Sequence, residues 1–138
     1  MENVEIIKGN WSGEYLSDKT IREIYSLSRM VILPLKDSTQ PSGQSVTLQA
    51  MSMGVPVIIS LTTGFWDKDK FIDELNIFFE QENNLNSWVN KIDSLFNDVN
   101  KLKYVSTNSV ELIAKNFDIG LFNDFMLNEV KYGSENNK

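Results

Sequence analysis

The chain contains neither cysteine nor histidine. Without cysteine there is no disulfide, no thiolate nucleophile and no zinc–thiolate cluster, which fits a reducing compartment and predicts a cytoplasmic location. Without histidine, a general base has to be a carboxylate or lie on another chain. Long apolar runs are missing as well: stretches such as Val55 to Ile59 are far too short to span a bilayer. No basic-then-apolar leader opens the chain, so no secretory signal is expected. Basic charge is scarce, with 13 Lys and Arg against 19 Asp and Glu, a net charge of −6. So acidic a chain repels the phosphate backbone, and nucleic acid is not an expected partner; the charge serves solubility.

What is present suits one domain. The 138 residues are 41% hydrophobic, enough for a packed core. Val4 to Ile7 reads as a strand closed by Lys8-Gly9-Asn10. Ser17 and Asp18 cap a helix over Lys19 to Ser28, with Ile21, Ile24 and Tyr25 on one face. Met30 to Leu35 is a second strand, and Gly43 to Met53 a second helix ended by Gly54. Val55 to Ser60 is a third strand. A loop over Leu61 to Asp69 leads to a short helix over Lys68 to Leu75, and Asn76 to Glu80 is a fourth strand. Helices follow over Leu85 to Phe96 and Asn100 to Asn116, and a last one after Phe117 carries Leu121, Phe122, Phe125, Met126 and Val130. Strands alternating with helices predict an α/β fold: a Rossmann-like parallel sheet of about four strands, flanked by helices and followed by C-terminal helices. The domain covers residues 1–132, and 133–138 reads as a disordered tail.

In such sheets ligands bind outside the carboxyl ends of the strands. The loop Gln40-Pro41-Ser42-Gly43 leads into the second helix at that edge. A helix start offers unpaired N–H groups and a partial positive charge, which suits a phosphate without any lysine. Ser42 is expected to cap this helix, and Gly43 to let a ligand approach the backbone. The plainer alternative is an ordinary cap with water on the amides.

The segment Leu48-Gln49-Ala50-Met51-Ser52-Met53-Gly54-Val55-Pro56-Val57-Ile58 resembles a motif of the GT-B glycosyltransferases, the group 1 or family 4-like enzymes. Their pattern is Glu-x7-Glu followed by Ala-Met-Ala-x-Gly-x-Pro-Val-Ile. Ser28 to Pro34 is similar to that family's strand ending in proline. The resemblance runs from about Asn3 to Asn128 and implies the distal part of the C-terminal nucleotide-sugar-binding domain. It implies a chain that holds a nucleoside diphosphate sugar for hexosyl transfer to a glycan or lipid-linked acceptor, in cell-surface polysaccharide assembly. The location implied is the cytoplasm or the inner face of the membrane. The donor is a substrate; no metal or other cofactor is implied.

Carried onto this chain, the resemblance assigns Ser42, Gly43, Gln44 and Ser45 to the diphosphate and Gln49 to the ribose. In the family Gln49 is a glutamate; glutamine keeps one acceptor oxygen and adds a donor, without charge assistance. The family's first glutamate falls on Pro41, beside Gln40, so the carboxylate that meets the transferred sugar is absent, and Asp37 is the nearest acid. Thr62, Thr63 and Gly64 follow the third strand on the donor side. Trp66 either meets an acceptor or partner domain or, with Phe65, fills the edge of the core. Asn10 and Trp11 lie on the base-side loop, where Trp11 stacks on a base or serves packing. Catalytic residues are not assigned.

The resemblance also implies missing parts: an N-terminal acceptor domain, or a partner chain, and two upstream strands with a basic pair. Alone, the chain is expected to be inactive, with an exposed sheet edge open to self-association. Loss of both motif carboxylates keeps an alternative open, a non-catalytic Rossmann-like interaction module or pseudoenzyme subunit. No paired acids follow the first strand and no phosphate-loop lysine occurs, which argues against a flavodoxin-like signalling domain.

Overall fold

Val31–Leu33 (β1), Val57–Ser60 (β2) and Phe78–Glu80 (β3) pair in parallel, in the order β1-β2-β3. The structure, a computed structural model, describes residues 4–7, 16–125 and 127. Val31 lies opposite Val57 and Leu33 opposite Ile59, while Ile58 lies opposite Phe78 and Ser60 opposite Glu80. All seven residues of β2 and β3 are buried, as in a sheet covered on both faces.

Four helices supply that cover: α1 (Asp18–Leu27), α2 (Gln44–Ser52), α3 (Leu85–Asn97) and α4 (Val99–Asn116). Alternating strand residues serve opposite faces. Val57, Ile59 and Phe79 join Tyr25 of α1 and Ala50 and Met51 of α2. Ile58 and Phe78 join Trp88 and Leu95 of α3 and Leu102 and Val105 of α4. Further along α4, Leu112 and Ile113 pack on the first cluster, so this helix serves both. Residues 119–125 are also helical, as expected after Phe117. Met126, Val130 and the tail 133–138 lie outside the described residues.

Local chemistry sets the boundaries. The Ser17 hydroxyl accepts the Thr20 amide at 3.1 Å to start α1. Asn84 and Ser87 form a reciprocal capping box at α3, and Asp98 caps α4. At the end of α2, the Val55 amide reaches the Ala50 carbonyl (2.9 Å) and the Gly54 amide that of Met51 (3.0 Å). These are the paired bonds of a Schellman turn, with Gly54 at φ 72°. The Gly-Val-Pro sequence thus turns the chain straight from helix into buried strand.

Two expected elements differ. Val4–Ile7 is not a strand; among the described residues it pairs with none, and Ile6 is 75% exposed. Its alternation suits a strand, but no neighbour among the described residues gives it a ladder, so the described sheet has three strands rather than four. Lys68 to Leu75 is not a helix but a series of turns with an isolated bridge between Asp73 and Ile77. Asn76 accounts for this: its side chain accepts from the Ile72 amide and donates to the Lys70 carbonyl, both at 2.9 Å. Side-chain bonds of this kind compete with helical ones.

Candidate functional site at the carboxyl rim of the sheet

The loops after β1 and β2 and the start of α2 meet at the carboxyl ends of the strands. Gly43, not Ser42, is the N-cap of α2, and its φ of 78° explains the exchange. That left-handed conformation strains any L side chain, so glycine takes the position. Close packing adds a second reason. A Cβ on Gly43 would lie 3.1 Å from Cδ1 of Ile59 and 3.2 Å from Cδ1 of Leu35. The helix therefore begins directly over the apolar ends of β1 and β2, while Pro41, Ser42 and Ser45 stay exposed and Gln44 half-buried.

No side chain caps α2, and no acid sits in its first turn. α1, α3 and α4 are each capped by a side-chain oxygen. The first amides of α2 thus have neither an intrahelical partner nor a side-chain cap. One turn on, Thr47 is fully buried and its hydroxyl has no hydrogen-bond partner.

The two rim loops are tied together. Oδ1 of Asp37 accepts the Thr63 amide at 2.7 Å, and Oδ2 accepts the Thr63 hydroxyl at 3.1 Å. Those bonds, the amide first, hold the Asp37 carboxyl below its ordinary pKa, helped by the Ser38 amide and Lys68 against some desolvation. The Gly64 amide donates to the Ser38 carbonyl at 2.7 Å, and a Cβ on Gly64 would lie 2.4 Å from the Thr39 carbonyl. Gln40 is exposed, and its amide is fixed by the Ser38 hydroxyl at 3.0 Å.

Behind the rim a second network joins all three strand ends. Ser60 Oγ accepts from the Leu35 amide and donates to Asn83 Oδ1, both at 2.9 Å. Asn83 Nδ2 donates to the Leu35 carbonyl at 2.8 Å, and Trp88 Nε1 donates to Asn83 Oδ1 at 2.9 Å. Glu80, buried at the end of β3, accepts the amides of Glu82 and Asn83. Burial works to raise its pKa. Ser87, those two amides and Lys91 outweigh it and hold the carboxyl below its ordinary value.

Of the residues expected at the site, Gly43, Gln44 and Ser45 line the start of α2, with Gln40, Pro41 and Ser42 leading into it. Thr63 and Gly64 join the neighbouring loop, but the Thr63 donors are spent on Asp37. Thr62 is buried, and its carbonyl accepts from the Phe65 amide. Gln49 lies apart, in a cleft of about 470 Å³ between α1 and α2 lined by Asp18, Arg22 and Tyr25. Asn10 and Trp11 lie outside the described residues. Phe65 is buried and stacks on Trp66 with ring centroids 4.3 Å apart, in a cluster with Phe71 and Phe79. Packing at the core edge accounts for both rings, and Trp66 Nε1 is left buried without a partner. Lys68, whose ammonium reaches the Thr63 carbonyl at 3.3 Å, and Arg22 are cations near these sites that sequence reasoning missed. Neither sits in a motif. Among the described residues no three carboxylates converge to hold a metal ion.

Solved structures share this fold. HepE (Alr3699) of Anabaena, in complex with UDP and glucose, superposes with a TM-score of 0.65 at 19% identity, over 79% of this chain and 28% of HepE. The HepE complex with UDP-glucose gives 0.64 at 20% identity, over 80% and 29%. The C-terminal domain of LpcC, a group 1 family glycosyl transferase of Francisella tularensis, gives 0.62 at 20% identity, over 78% and 52%. The chain has the fold of part of a GT-B C-terminal domain. No family model and no curated protein matches the sequence. This partial GT-B domain spans 28–29% of the HepE chain and 52% of the LpcC domain. No helix among the described residues is long and apolar enough to cross a membrane.

Proposed function

We propose that this chain forms the donor-binding part of a glycosyltransferase. It would hold a nucleoside diphosphate sugar whose hexosyl group passes to a glycan or lipid-linked acceptor in cell-surface polysaccharide assembly, in the cytoplasm or at the inner membrane face. One observation carries the reading: the uncapped start of α2 lies over the carboxyl ends of β1 and β2. The amides of Gln44, Ser45 and Val46 grip the diphosphate, and Gly43 supplies the left-handed turn that starts the helix over the strand ends. As the sugar leaves, charge develops on the diphosphate, and the same amides stabilise it. Gln49 takes the ribose.

Transfer needs an acceptor domain, supplied by further polypeptide or a partner chain. Among the described residues no strand pairs with the outer edge of β1, where Ile32 is 37% exposed, and that edge is the pairing surface for an added strand or a second copy. The absence of a carboxylate at Pro41 and Gln49 favours a second reading, a non-catalytic module or pseudoenzyme subunit. Titration with UDP, GDP and UDP-glucose, followed by tryptophan emission, separates the two. Saturable binding of a nucleotide supports the donor site. No response at millimolar ligand, also after a partner domain is restored, supports the module.

A further inference from the structure

We infer that Asn83 is a positioning residue for the diphosphate site: it holds Leu35 in place, and Leu35 supports the first turn of α2. The inference rests on the donor-site reading and adds to that site a residue from the loop after β3 that touches no ligand. β1 stops at Leu33, and Pro34 has no N–H to continue a ladder. Leu35 therefore lies past the end of the strand pairing. Its amide donates to Ser60 Oγ at 2.9 Å, and its carbonyl accepts from Asn83 Nδ2 at 2.8 Å. The Ser60 hydroxyl donates to Asn83 Oδ1 at 2.9 Å and closes a triangle. Each polarity in it is fixed. A backbone amide only donates, so Ser60 Oγ accepts from Leu35 and turns its own hydrogen to Asn83. A backbone carbonyl only accepts and an indole N–H only donates. Nδ2 therefore faces Leu35, and Oδ1 faces Trp88, whose Nε1 lies 2.9 Å away. Ser60 and Trp88 are buried, so core packing sets both anchors.

The link to the site is the Leu35 side chain. A Cβ on Gly43 would lie 3.1 Å from Ile59 Cδ1, 3.2 Å from Leu35 Cδ1 and 3.7 Å from Leu33 Cδ1. These tips form the floor under the start of α2. Leu33 and Ile59 are held there by the ladder, in which they lie opposite each other. Leu35 has no ladder partner and depends on Ser60 and Asn83. It is also the residue from which the rim loop leaves toward Asp37 and Gly43. Loss of the Asn83 side chain frees the Leu35 carbonyl, loosens this part of the floor and spreads the orientations of the Gln44 and Ser45 amides. Donors already in place bind an anion better than mobile ones, because less ordering is left to binding.

The test is UDP titration of the full ¹⁵N-labelled chain and of the N83G, S60A, L35A, N83G/L35A and L102A variants. Asn83 has φ 52°, which glycine accepts, so N83G removes the side chain without straining the backbone. L102A weakens the core at the other end of the sheet, beside Pro56 and Arg29, and controls for lost stability. N83G and S60A should each weaken UDP binding about fivefold. Both should also move the Gly43, Gln44 and Ser45 amide signals before any ligand is added, and L102A should do neither. On the L35A background N83G should cost no further affinity, because the two act through one contact. S60A carries the test should N83G not fold. A merely structural Asn83 would leave N83G binding UDP no worse than L102A, or its penalty intact beside L35A, and either result overturns the inference. The donor site then still stands if UDP shifts the Gln44 and Ser45 amides of the wild type. If UDP shifts no α2 amide in the wild type, the donor site fails and the inference with it.

Discussion

Asp37 and Thr63, 26 residues apart, close the rim as a two-point clasp: one carboxylate oxygen holds the Thr63 amide at 2.7 Å and the other its hydroxyl at 3.1 Å. The clasp joins the loop after β1 to the loop after β2. It also redefines Asp37, the acid nearest Pro41, where the resemblance would put a sugar-contacting glutamate. With both oxygens committed, Asp37 shapes the rim.

The clasp should titrate on the acid side. The folded pKa of Asp37 lies below its unfolded value. Its contribution is therefore whole above the ordinary aspartate value, about 3.9, and fades as pH falls through the lowered folded pKa. The Thr63 amide signal should follow that protonation. D37N should abolish the transition and loosen residues 37–41 in hydrogen exchange. A Thr63 amide that titrates near pH 4 or higher contradicts the clasp.

Gly64 is a closer fit than Gly43. G64A forces a Cβ to 2.4 Å from the Thr39 backbone, where nothing flexible can give. It should destabilise by about 1–3 kcal/mol, the range for overpacking. G43A meets the flexible tips of Ile59 and Leu35, and its cost, about 1–2 kcal/mol, comes mainly from φ. Urea unfolding of both variants checks this, and G43A should also weaken nucleotide binding.

Asn83 is the hub behind the rim. N83A removes the partner of the Leu35 carbonyl, the Trp88 indole and the Ser60 hydroxyl together. A loss of about 2–4 kcal/mol is expected, because several groups lose partners at once. N90A, at an exposed site on α3, serves as the control and should change little. The Trp88 emission should shift in N83A alone.

Glu80 should contribute in the same acid direction as Asp37. Its folded pKa is lowered despite burial, so its stabilisation is present above the ordinary glutamate value and disappears as pH falls through the folded one. E80Q should flatten acid unfolding. A variant as acid-sensitive as wild type excludes this role.

The legible parts of the fold are those written in local chemistry. Gly54-Val55-Pro56 announces a helix that stops and becomes a strand, and the Schellman bonds are there. The apolar runs of β2 and β3 show strands buried on both faces. What stayed hidden depends on contact across the chain. Val4–Ile7 has strand propensity, but propensity does not show whether a neighbour exists. Lys68 to Leu75 has helix-like composition, yet the Asn76 side chain takes the backbone groups a helix would need. At the site, the helix start was visible from Pro41 to Ser45. Its cap moved by one residue because the turn requires positive φ. The Asp37–Thr63 clasp and the Tyr25–Gln49 contact span 26 and 24 residues, beyond any motif.

The start of α2 is the centre of the account, and its backbone amides report on it directly. The measurement is a ¹H–¹⁵N titration of the chain with UDP. The largest shifts are expected at Gln44, Ser45 and Val46, with Gly43 beside them and little change in α3. Saturating UDP that leaves those amides unmoved, or shifts centred on another part of the chain, would contradict a diphosphate held by this helix.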